Sequence, residues 1–376
     1  MKPLNLTVIS HSCVLPANQR VWAKVIALDP GISLRLIAPL RWKSSLHGPL
    51  QFAPLPALAG QAVGIRVYCS GHLHLHTYSD LGPALTQEVP DILFLDEDPH
   101  SLVGWQVLGI QAIMSFQTII TLKQNVPKRY PFPFSLIERA LFRSTSAAAA
   151  TSEECLAVAR QKQFHQPAMV VHYPIDTRTF RPAEPDTSAA DGPFRIGYAG
   201  RLVPEKGVAD LIRAVAQAQA RQPVELHITG SGPEEKHLRA VAAEQPGMTD
   251  RIHWTQTPHD QMAPWHQSLD AVVLPSHTTP RWKEQFGRAL GEAMACGKPV
   301  IGSDSGFIRE LIESTAGGLL FPEGDVGALT RAIGRLAGDA DLCRELGERG
   351  RQRVLDLYSV DAVAGKLIEL IRSVPV

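Results

Sequence analysis

The sequence predicts an α/β protein that contains two doubly wound domains, each built on a parallel sheet. The length of 376 residues exceeds what one ordinary hydrophobic core supports. Short apolar runs alternate with segments of helical period, which is typical of βαβ units. Residues 182–193 are rich in Pro, Ala, Ser and Asp, as linkers are. We therefore predict an N-terminal domain over 1–181, a linker over 182–193 and a C-terminal domain over 194–357.

The C-terminal half alternates strand and helix patterns with little interruption. Its apolar runs FRIGYAG, VELHITG, RIHWTQT and AVVLPS predict strands, and segments with helical spacing lie between them. Elements in this order form a Rossmann-like domain, in which ligands bind at the carboxyl ends of the strands. Beyond this domain, residues 358–376 predict a helix that could pack on either domain, including back on the N-terminal one.

The N-terminal half follows the same pattern less regularly. Its runs LNLTVIS, ISLRLIAP, IRVYCS, DILFLD and TIITL predict strands that longer connections separate, so a second doubly wound domain is the economical interpretation. The first run lacks the long apolar region and the cleavage site of a signal peptide, so we interpret it as a strand. No repeat of solenoid period is visible.

Composition excludes several classes of function. Acidic and basic residues number 37 each, which argues against a nucleic-acid partner. No run reaches the roughly 20 apolar residues that a membrane-spanning helix needs. The five cysteines form no CxxC motif and indicate reduced thiols, so we expect a cytoplasmic location. They are Cys13, Cys69, Cys155, Cys296 and Cys343.

Two loops that follow predicted strands carry residues suited to phosphate. In AGRLVPEKG, Gly200 ends a strand, and Arg201 and Lys206 follow it within one short loop. A glycine lets the backbone approach a ligand, and two cations can neutralise a diphosphate, although a solvated loop explains them equally well. In TGSGP, backbone amides near Gly230 could contact a nucleotide, but such turns are common in α/β proteins.

The stretch KEQFGRALGEAMACGKP is more specific. Gly287 is predicted to open a helix that ends at Gly297, and the free amides at its start would bind an anion. Glu284 lies in the loop before the helix, where it suits sugar hydroxyls or a developing positive charge. Glu292 lies on a small-residue face, where ribose hydroxyls would satisfy it. The alternatives are a charge stabilised by the helix dipole for Glu284 and an ion pair with Arg288 for Glu292.

Together these motifs resemble the retaining glycosyltransferases of family 4, from Phe194 to about Gly338. The resemblance is carried by GRLVPEKG, GSGP, GLLFPEGD and the E-x7-E element from Glu284 to Glu292, which is coupled to FG and EAMACGKPV. It implies the GT-B fold, in which two Rossmann-like domains face each other across a cleft. It also implies transfer of a sugar, with retention, from a nucleotide sugar to a saccharide or glycolipid, in glycan, polysaccharide or glycolipid biosynthesis.

The resemblance assigns roles to individual residues. Those implied to be catalytic are Glu284, Lys206 and Arg201. Those implied to bind the donor are Arg201, Lys206, Gly230, Glu284, Gln285, Phe286, Gly287 and Glu292. It implies a UDP- or GDP-linked donor and no metal or other cofactor, because the cations and amides stabilise the leaving nucleoside diphosphate.

The N-terminal half departs from the family pattern. The loop SHSCVLPANQRVW lacks the usual glycine pair, so the side chains of Asn18 and Arg20 would replace backbone contacts; a helix N-cap and a solvated arginine are the alternative. LKQN stands after TIITL, where many members have a histidine. There Gln124 and Asn125 can bind hydroxyls but cannot shuttle a proton near neutral pH, and Lys123 precedes them.

The loop FLDEDPHS could also contact the acceptor, through Asp96, Glu97 or His100, although Asp98 or Ser101 could instead cap a helix. The residues predicted to bind the acceptor are Asn18, Glu97, Gln124 and Asn125.

Two further segments have competing interpretations. In GHLHLH, the residues His72, His74 and His76 share one face of a predicted strand, which indicates a polar or acceptor surface rather than a metal site. The segment KQNVPKRYPFPFSLIERALFR interleaves basic and aromatic residues, so it could dock on an anionic bilayer at the inner face of the membrane; a partly ordered loop is the alternative.

Three other functions fit the same motifs. A nucleotide-sugar epimerase and a phosphorylase with lysine-bound pyridoxal phosphate share the architecture. A non-catalytic nucleotide-sugar sensor or partner subunit would keep the donor pocket and lose transfer.

Overall fold

The computed structural model describes residues 3–44, 48–184, 192–218 and 223–376. Most of the predicted linker therefore lies outside the described residues. Among the described helices, none is long and apolar enough to cross a bilayer.

The chain forms two compact units. The first comprises Met1–Tyr173 together with Val360–Val376, and the second comprises Pro174–Ser359. The chain thus enters the second unit shortly before the predicted linker, and its C-terminal segment belongs to the first unit.

The first unit contains a seven-stranded parallel sheet and two small antiparallel pairs. Its described strands are β1 (Leu4–Ile9), β2 (Ile32–Pro39), β3 (Arg41–Ser44), β4 (Gly48–Gln51), β5 (Ala62–Ile65), β6 (Val67–Tyr68), β7 (Thr77–Tyr78), β8 (Ile92–Leu95), β9 (Gln117–Leu122), β10 (Ala147–Ala150) and β11 (Ala168–Val170). Its described helices are α1 (Pro16–Leu28), α2 (Leu81–Gln87), α3 (Leu102–Gln111), α4 (Phe134–Ser144) and α5 (Glu153–Gln161). The sheet order is β11-β10-β9-β8-β1-β2-β5. The chain first adds strands on one side of β1 and then, from β8 onwards, on its other side, so the strand order reverses between β1 and β8 while all strands stay parallel.

The second unit contains a six-stranded parallel sheet. Its described strands are β12 (Phe194–Ala199), β13 (Val224–Thr229), β14 (Ile252–Thr255), β15 (Ala271–Leu274), β16 (Val300–Ser303) and β17 (Gly318–Phe321). Its described helices are α6 (Val208–Gln217), α7 (Glu235–Ala243), α8 (Met262–Gln267), α9 (Arg288–Ala295), α10 (Phe307–Thr315), α11 (Val326–Gly338) and α12 (Ala340–Leu357). The order β14-β13-β12-β15-β16-β17 reverses between β12 and β15. Such reversals form the crevices in which doubly wound sheets bind ligands.

The C-terminal helix α13 (Val360–Ser373) packs on the first unit beside α1. Its apolar residues, including Leu367 and Ile371, join Trp22 and Val25 of α1 in the core on one face of the sheet. Arg372 forms an ion pair with Asp29, with 2.8 Å between Nε and Oδ2. Helices α2 to α5 cover the opposite face.

Among the strands that sequence reasoning did not name, β10 and β11 belong to the main sheet of the first unit. The strand β10 consists of four alanines, and all four side chains are buried, Ala147 and Ala149 on one face and Ala148 and Ala150 on the other. Alanine favours helices and is depleted in strands, so its propensity predicts the wrong structure. Burial between helices on both faces of a parallel sheet overrides that propensity. The strand β11 has three residues and flanks β10.

The predicted strand IRVYCS is divided. Ile65 ends β5, and Val67–Tyr68 forms the short β6, which pairs with β7 outside the main sheet. The segment GHLHLH forms turns between β6 and β7, so the prediction that its histidines share a strand face is wrong.

Candidate functional site

In the second unit, the loops after β12 and β15 meet where the strand order reverses. Gly207 ends the loop after β12 with φ 63° and starts α6. A Cβ atom on this residue would lie 2.0 Å from the carbonyl oxygen of Pro275, which follows β15. Only glycine combines this left-handed backbone with so close an approach.

The two loops are joined by a buried ion pair. Lys206 Nζ contacts Glu284 Oε2, and the side chains are only 12% and 10% exposed. Ser276 Oγ donates a hydrogen bond to the same carboxylate oxygen at 3.0 Å. Lys206 Nζ also lies over the Trp282 ring, 4.9 Å from its centroid. Buried ion pairs contribute little net stability, so the presence of this one is not explained by stability alone.

Backbone contacts fix Glu284 from behind. Its carbonyl oxygen accepts a hydrogen bond from Phe307 N at 3.0 Å. A Cβ atom on Gly306, whose φ is 51°, would lie 2.2 Å from that oxygen. The start of α10 therefore fixes the position of the Glu284 backbone.

Gly287 begins α9 as predicted, with φ 64°, and Gly297 follows the helix with φ 75°. The Phe286 ring is buried and stacks on Phe307, with 5.5 Å between the centroids. Any contact of Phe286 with a ligand would therefore involve its backbone. The first amides of α9 lack intrahelical acceptors, as at the start of every α-helix.

Glu292 is buried on α9 with 8% exposure. Its Oε2 lies 3.6 Å from Nε2 of His266, which is fully buried on α8. No ion pair joins Glu292 to Arg288 among the described residues, so that alternative is wrong. Both ring nitrogens of His266 lack hydrogen-bond partners among the described atoms. The ring nitrogens of His266 can therefore still form hydrogen bonds beside Glu292, the residue predicted to bind ribose.

The loops after β12 and β13 also approach backbone to backbone. Gly230 has φ 145°, and a Cβ atom there would lie 1.9 Å from the carbonyl oxygen of Gly200. Leu202 N donates to Ser231 O at 2.9 Å. The Arg201 side chain is 49% exposed, and its Nη2 lies 4.0 Å from Glu205 Oε1.

Lys206 and Glu284 are thus in direct contact, while Glu292 lies against His266 and Gly230 against Gly200. Four residues in contact with these groups were not predicted, and they are Ser276, Trp282, His266 and Gly306. Ser276 could have been suspected, because it is a polar residue directly after an apolar strand. The others contribute through contacts that no local pattern specifies.

In the first unit, the predicted acceptor residues have different surroundings. Asn18 lies within α1 and donates from Nδ2 to Ser12 O at 2.7 Å; the N-cap is Leu15, so the capping alternative for Asn18 is wrong. Gln124 donates to the Tyr130 hydroxyl and leaves its buried Oε1 without a described partner. Asn125 is buried with 4% exposure.

The loop after β8 is dominated by inward-facing carboxylates. Asp96 forms an ion pair with Lys123, with 2.7 Å between Oδ1 and Nζ. Glu97 is fully buried and so does not present its carboxylate to an acceptor as the sequence suggested. Ser101 caps α3 and accepts a hydrogen bond from Gly104 N at 3.4 Å, as one alternative anticipated.

Four of the described histidines of this unit form two clusters. His74 lies beside His100, with 2.8 Å between Nδ1 and Nε2. Burial, followed by the nearby His74, lowers the pKa of His100 to about 3, so its ring is neutral at physiological pH. It stacks on Tyr130 with 3.7 Å between the centroids. His76 instead lies beside Glu97 and His11, and His11 was not predicted.

Known proteins share the fold of the whole chain. It aligns with sucrose-phosphate synthase from Thermosynechococcus elongatus at a TM-score of 0.74 and 21% identity, over 98% of each chain. It aligns with Anabaena Alr3699/HepE in complex with UDP at a TM-score of 0.73 and 19% identity, over 98% of this chain and 100% of that one. The fold is GT-B. At such low identity the likeness concerns the fold alone.

Sequence comparisons of this GT-B protein match part of the chain. The family model described as Glycosyl transferases group 1 matches residues 180–353. A 2-deoxystreptamine N-acetyl-D-glucosaminyltransferase from Streptomyces fradiae is 34% identical over 172 residues, which are 45% of this chain and 39% of that protein. A GDP-mannose-dependent alpha-(1-6)-phosphatidylinositol monomannoside mannosyltransferase from Mycolicibacterium smegmatis is 31% identical over 222 residues, 55% of this chain and 57% of that protein. The matches thus span about half the length of these relatives.

Proposed function

We propose that this protein transfers a sugar from a nucleotide-sugar donor to a saccharide or glycolipid acceptor, with retention of anomeric configuration. The observation that carries the proposal is the buried Lys206–Glu284 pair, at the reversal point of a doubly wound sheet. It lies inside the segment that matches group 1 glycosyl transferases. The named relatives, which act on aminocyclitol and inositol-lipid acceptors, support the class of reaction.

The donor diphosphate would lie at the start of α9, against the free amides that follow Gly287. Arg201 and Lys206 would supply the positive charge that the leaving nucleoside diphosphate needs. Glu292 would bind the ribose hydroxyls. The Lys206 ammonium contacts the Glu284 carboxylate and lies over the Trp282 ring. We propose that it pairs with Glu284 in the free protein and with the diphosphate when the donor is bound.

In the proposed reaction, the acceptor oxygen bonds to the anomeric carbon on the face from which the diphosphate leaves. The electron pair of the broken bond stays on the diphosphate, and a diphosphate oxygen takes the acceptor proton. Glu284 holds the donor sugar by its hydroxyls during this exchange. The protein supplies charge stabilisation through residues and amides, so we propose that the reaction needs neither metal nor other cofactor.

A screen of UDP, GDP and ADP sugars by thermal shift tests donor binding. A ligand at 100 times its Kd stabilises the native state by about 2.7 kcal/mol, so the matching donor is expected to raise Tm by several degrees. The Glu292→Ala variant should lose most of that shift. No shift with any donor, at concentrations into the millimolar range, would contradict the proposal.

Product analysis then separates transfer from its rivals. Radiolabelled donor is offered with 2-deoxystreptamine, D-inositol 3-phosphate or vesicles that contain phosphatidylinositol monomannoside, and the anomeric configuration of the product is read by proton NMR. Transfer with retention supports the proposal. Donor binding without transfer or hydrolysis would identify a sensor or subunit, and inversion would reject the retaining mechanism.

We also propose that the first unit docks on an anionic membrane, where a lipid-linked acceptor would lie. The lining of a cavity of about 660 Å³ beside α4 includes one carboxylate, Glu138, which forms an ion pair with Lys162. It also includes four cationic side chains, those of Lys128, Arg129, Arg139 and Lys162. Next to this segment, Phe132 is 80% exposed and Leu136 on α4 is 47% exposed. Basic residues beside exposed apolar side chains suit an anionic bilayer surface.

Vesicle co-sedimentation tests this docking. Vesicles with anionic lipid should bind the protein, while purely zwitterionic vesicles or about 1 M salt, where the Debye length is about 3 Å, should release it. Phe132→Ser should weaken binding. Leu28→Ser is the matched control, because Leu28 is 49% exposed at the end of α1, on the opposite face of the sheet. Equal loss in both variants, or no dependence on anionic lipid, would contradict docking.

A further inference from the structure

The first unit has its own reversal point, between β1 and β8. His11 follows the end of β1, and Glu97 follows the end of β8. Doubly wound sheets bind ligands in the crevice at this point. The two residues are 86 positions apart in the chain, and the sheet brings them into contact.

Glu97 uses both carboxylate oxygens to hold His11. The backbone N–H of His11 donates to Oε1 at 2.6 Å. The ring Nδ1 hydrogen-bonds to Oε2. The Glu97 side chain is 0% exposed, while that of His11 keeps 19% exposure. Burying a carboxylate is costly unless hydrogen bonds compensate for the lost water, and His11 supplies two hydrogen bonds to Glu97.

His76 completes the charge balance around Glu97. Its Nδ1–H donates to His72 O at 3.1 Å, so its Nε2 faces Glu97 Oε1 at 3.6 Å without a hydrogen-bond partner. Burial alone raises the pKa of Glu97, but His11 and His76 hold it well below its ordinary value. Burial lowers the pKa of His76, yet Glu97 raises it above its usual range overall.

The carboxylate fixes the tautomer of His11. Because an ionised carboxylate only accepts hydrogen bonds, the proton of a neutral ring lies on Nδ1 and the lone pair on Nε2. Among the described residues, no hydrogen bond uses Nε2. The ring is held from two other sides, with its centroid 5.0 Å from that of Trp42 and 5.6 Å from that of His76.

We propose that His11 binds the acceptor, with its Nε2 accepting a hydrogen bond from the hydroxyl group of a saccharide or polyol, and that Glu97 is its positioning residue. The inference rests on the proposed function, and it moves the acceptor contact from the buried Glu97 to His11. The hydroxyl donates its proton to the hydrogen bond without transferring it. This hydroxyl therefore orients the acceptor, and a different hydroxyl of the acceptor, whose proton goes to the diphosphate oxygen, attacks the donor.

Acceptor kinetics test the proposal, with whichever of the three acceptors named above the wild type uses best. His11→Ala should reduce kcat/KM for the acceptor about tenfold or more, the loss of roughly 1.4 kcal/mol or more that a hydrogen bond to the ring can supply. The donor-induced thermal shift should remain that of the wild type. His165→Gln, an exposed histidine of the same unit, is the control and should change neither.

A spectroscopic readout distinguishes positioning from a general loss of structure. Long-range ¹⁵N–¹H spectra should show His11 protonated on Nδ1 in the wild type. In Glu97→Gln that tautomer should give way to a mixture, and acceptor KM should rise while donor binding persists. A wild-type tautomer with the proton on Nε2 would overturn the proposal.

The remaining outcomes are equally decisive. Transfer by His11→Ala at the wild-type rate and acceptor KM would overturn this inference and leave the proposed function intact. Failure of the wild type to transfer at all would remove both. The ligand atoms of His11, His76 and Glu97 lie within 4.8 Å of one another. If the purified protein holds one equivalent of a divalent metal that His11→Ala lacks, the cluster is a metal site and the proposal is wrong.

Discussion

Glu284→Gln is expected to reduce turnover by about 10²- to 10³-fold, the range seen when a preorganised group in an active site is removed. The substitution keeps an acceptor oxygen for the Ser276 hydroxyl but removes the charge that holds Lys206. Donor affinity, measured by calorimetry, should change only a few fold, because the phosphate and ribose contacts remain. Steady-state kinetics with the best acceptor measure the loss.

Two controls make this result specific. Glu313→Gln removes an exposed carboxylate from α10 of the same unit and should leave turnover unchanged. Glu292→Ala should do the reverse of Glu284→Gln and weaken donor binding more than turnover at saturation. If both glutamate variants match the wild type, the assignment of the site is wrong.

The ion pair itself can be separated from catalysis. Removing one partner of a buried pair leaves the other charge without compensation and destabilises the fold by roughly 3–5 kcal/mol. We therefore expect Lys206→Met and Glu284→Gln each to lower Tm, and the double variant to lose less than the sum. Turnover should not recover in the double variant, because sugar transfer needs the charges of Lys206 and Glu284, whereas the protein can fold without them.

Much of the second unit could be predicted because its signals are local. Gly287 and Gly297 mark the ends of α9 by conformations that glycine adopts easily. The carboxyl ends of parallel strands lie at one edge of a sheet, so the sequence alone predicts that the loops carrying Lys206 and Glu284 lie at the same edge. The direct contact of Lys206 with Glu284, beside Ser276 and Trp282, depends on the path of the long loop between β15 and α9, which no local pattern specifies.

The first unit shows where sequence reasoning ends. Glu97 and Asp98 are adjacent acids in one loop, and no pattern distinguishes the fully buried one from its more exposed neighbour. Burial of Glu97 depends on His11, a partner supplied by another strand. The alanines of β10 were missed for a similar reason, since burial on both faces outweighs their helix propensity.

Gly230→Ala is expected to destabilise the second unit by roughly 2–6 kcal/mol, through overpacking and backbone strain that cost about 1–3 kcal/mol each. The added Cβ would lie 1.9 Å from Gly200 O, and the backbone atoms there cannot turn aside as a flexible side chain does. By calorimetry, Tm should fall by roughly 4–24 °C, because each kcal/mol lowers Tm by about 2–4 °C in a domain of this size. The donor-induced shift should also shrink, because the loops after β12 and β13 must separate.

Gly365→Ala is the matched control for this substitution. Gly365 lies within α13 with nothing inside 4 Å of its added Cβ, so alanine there should stabilise the helix by about 0.5–1 kcal/mol. The same chemical change thus has opposite expected signs at the two positions. A Gly230→Ala protein that melts and binds donor like the wild type would mean that the loops after β12 and β13 can separate without loss. The close approach of Gly230 to Gly200 would then not be what shapes the donor site.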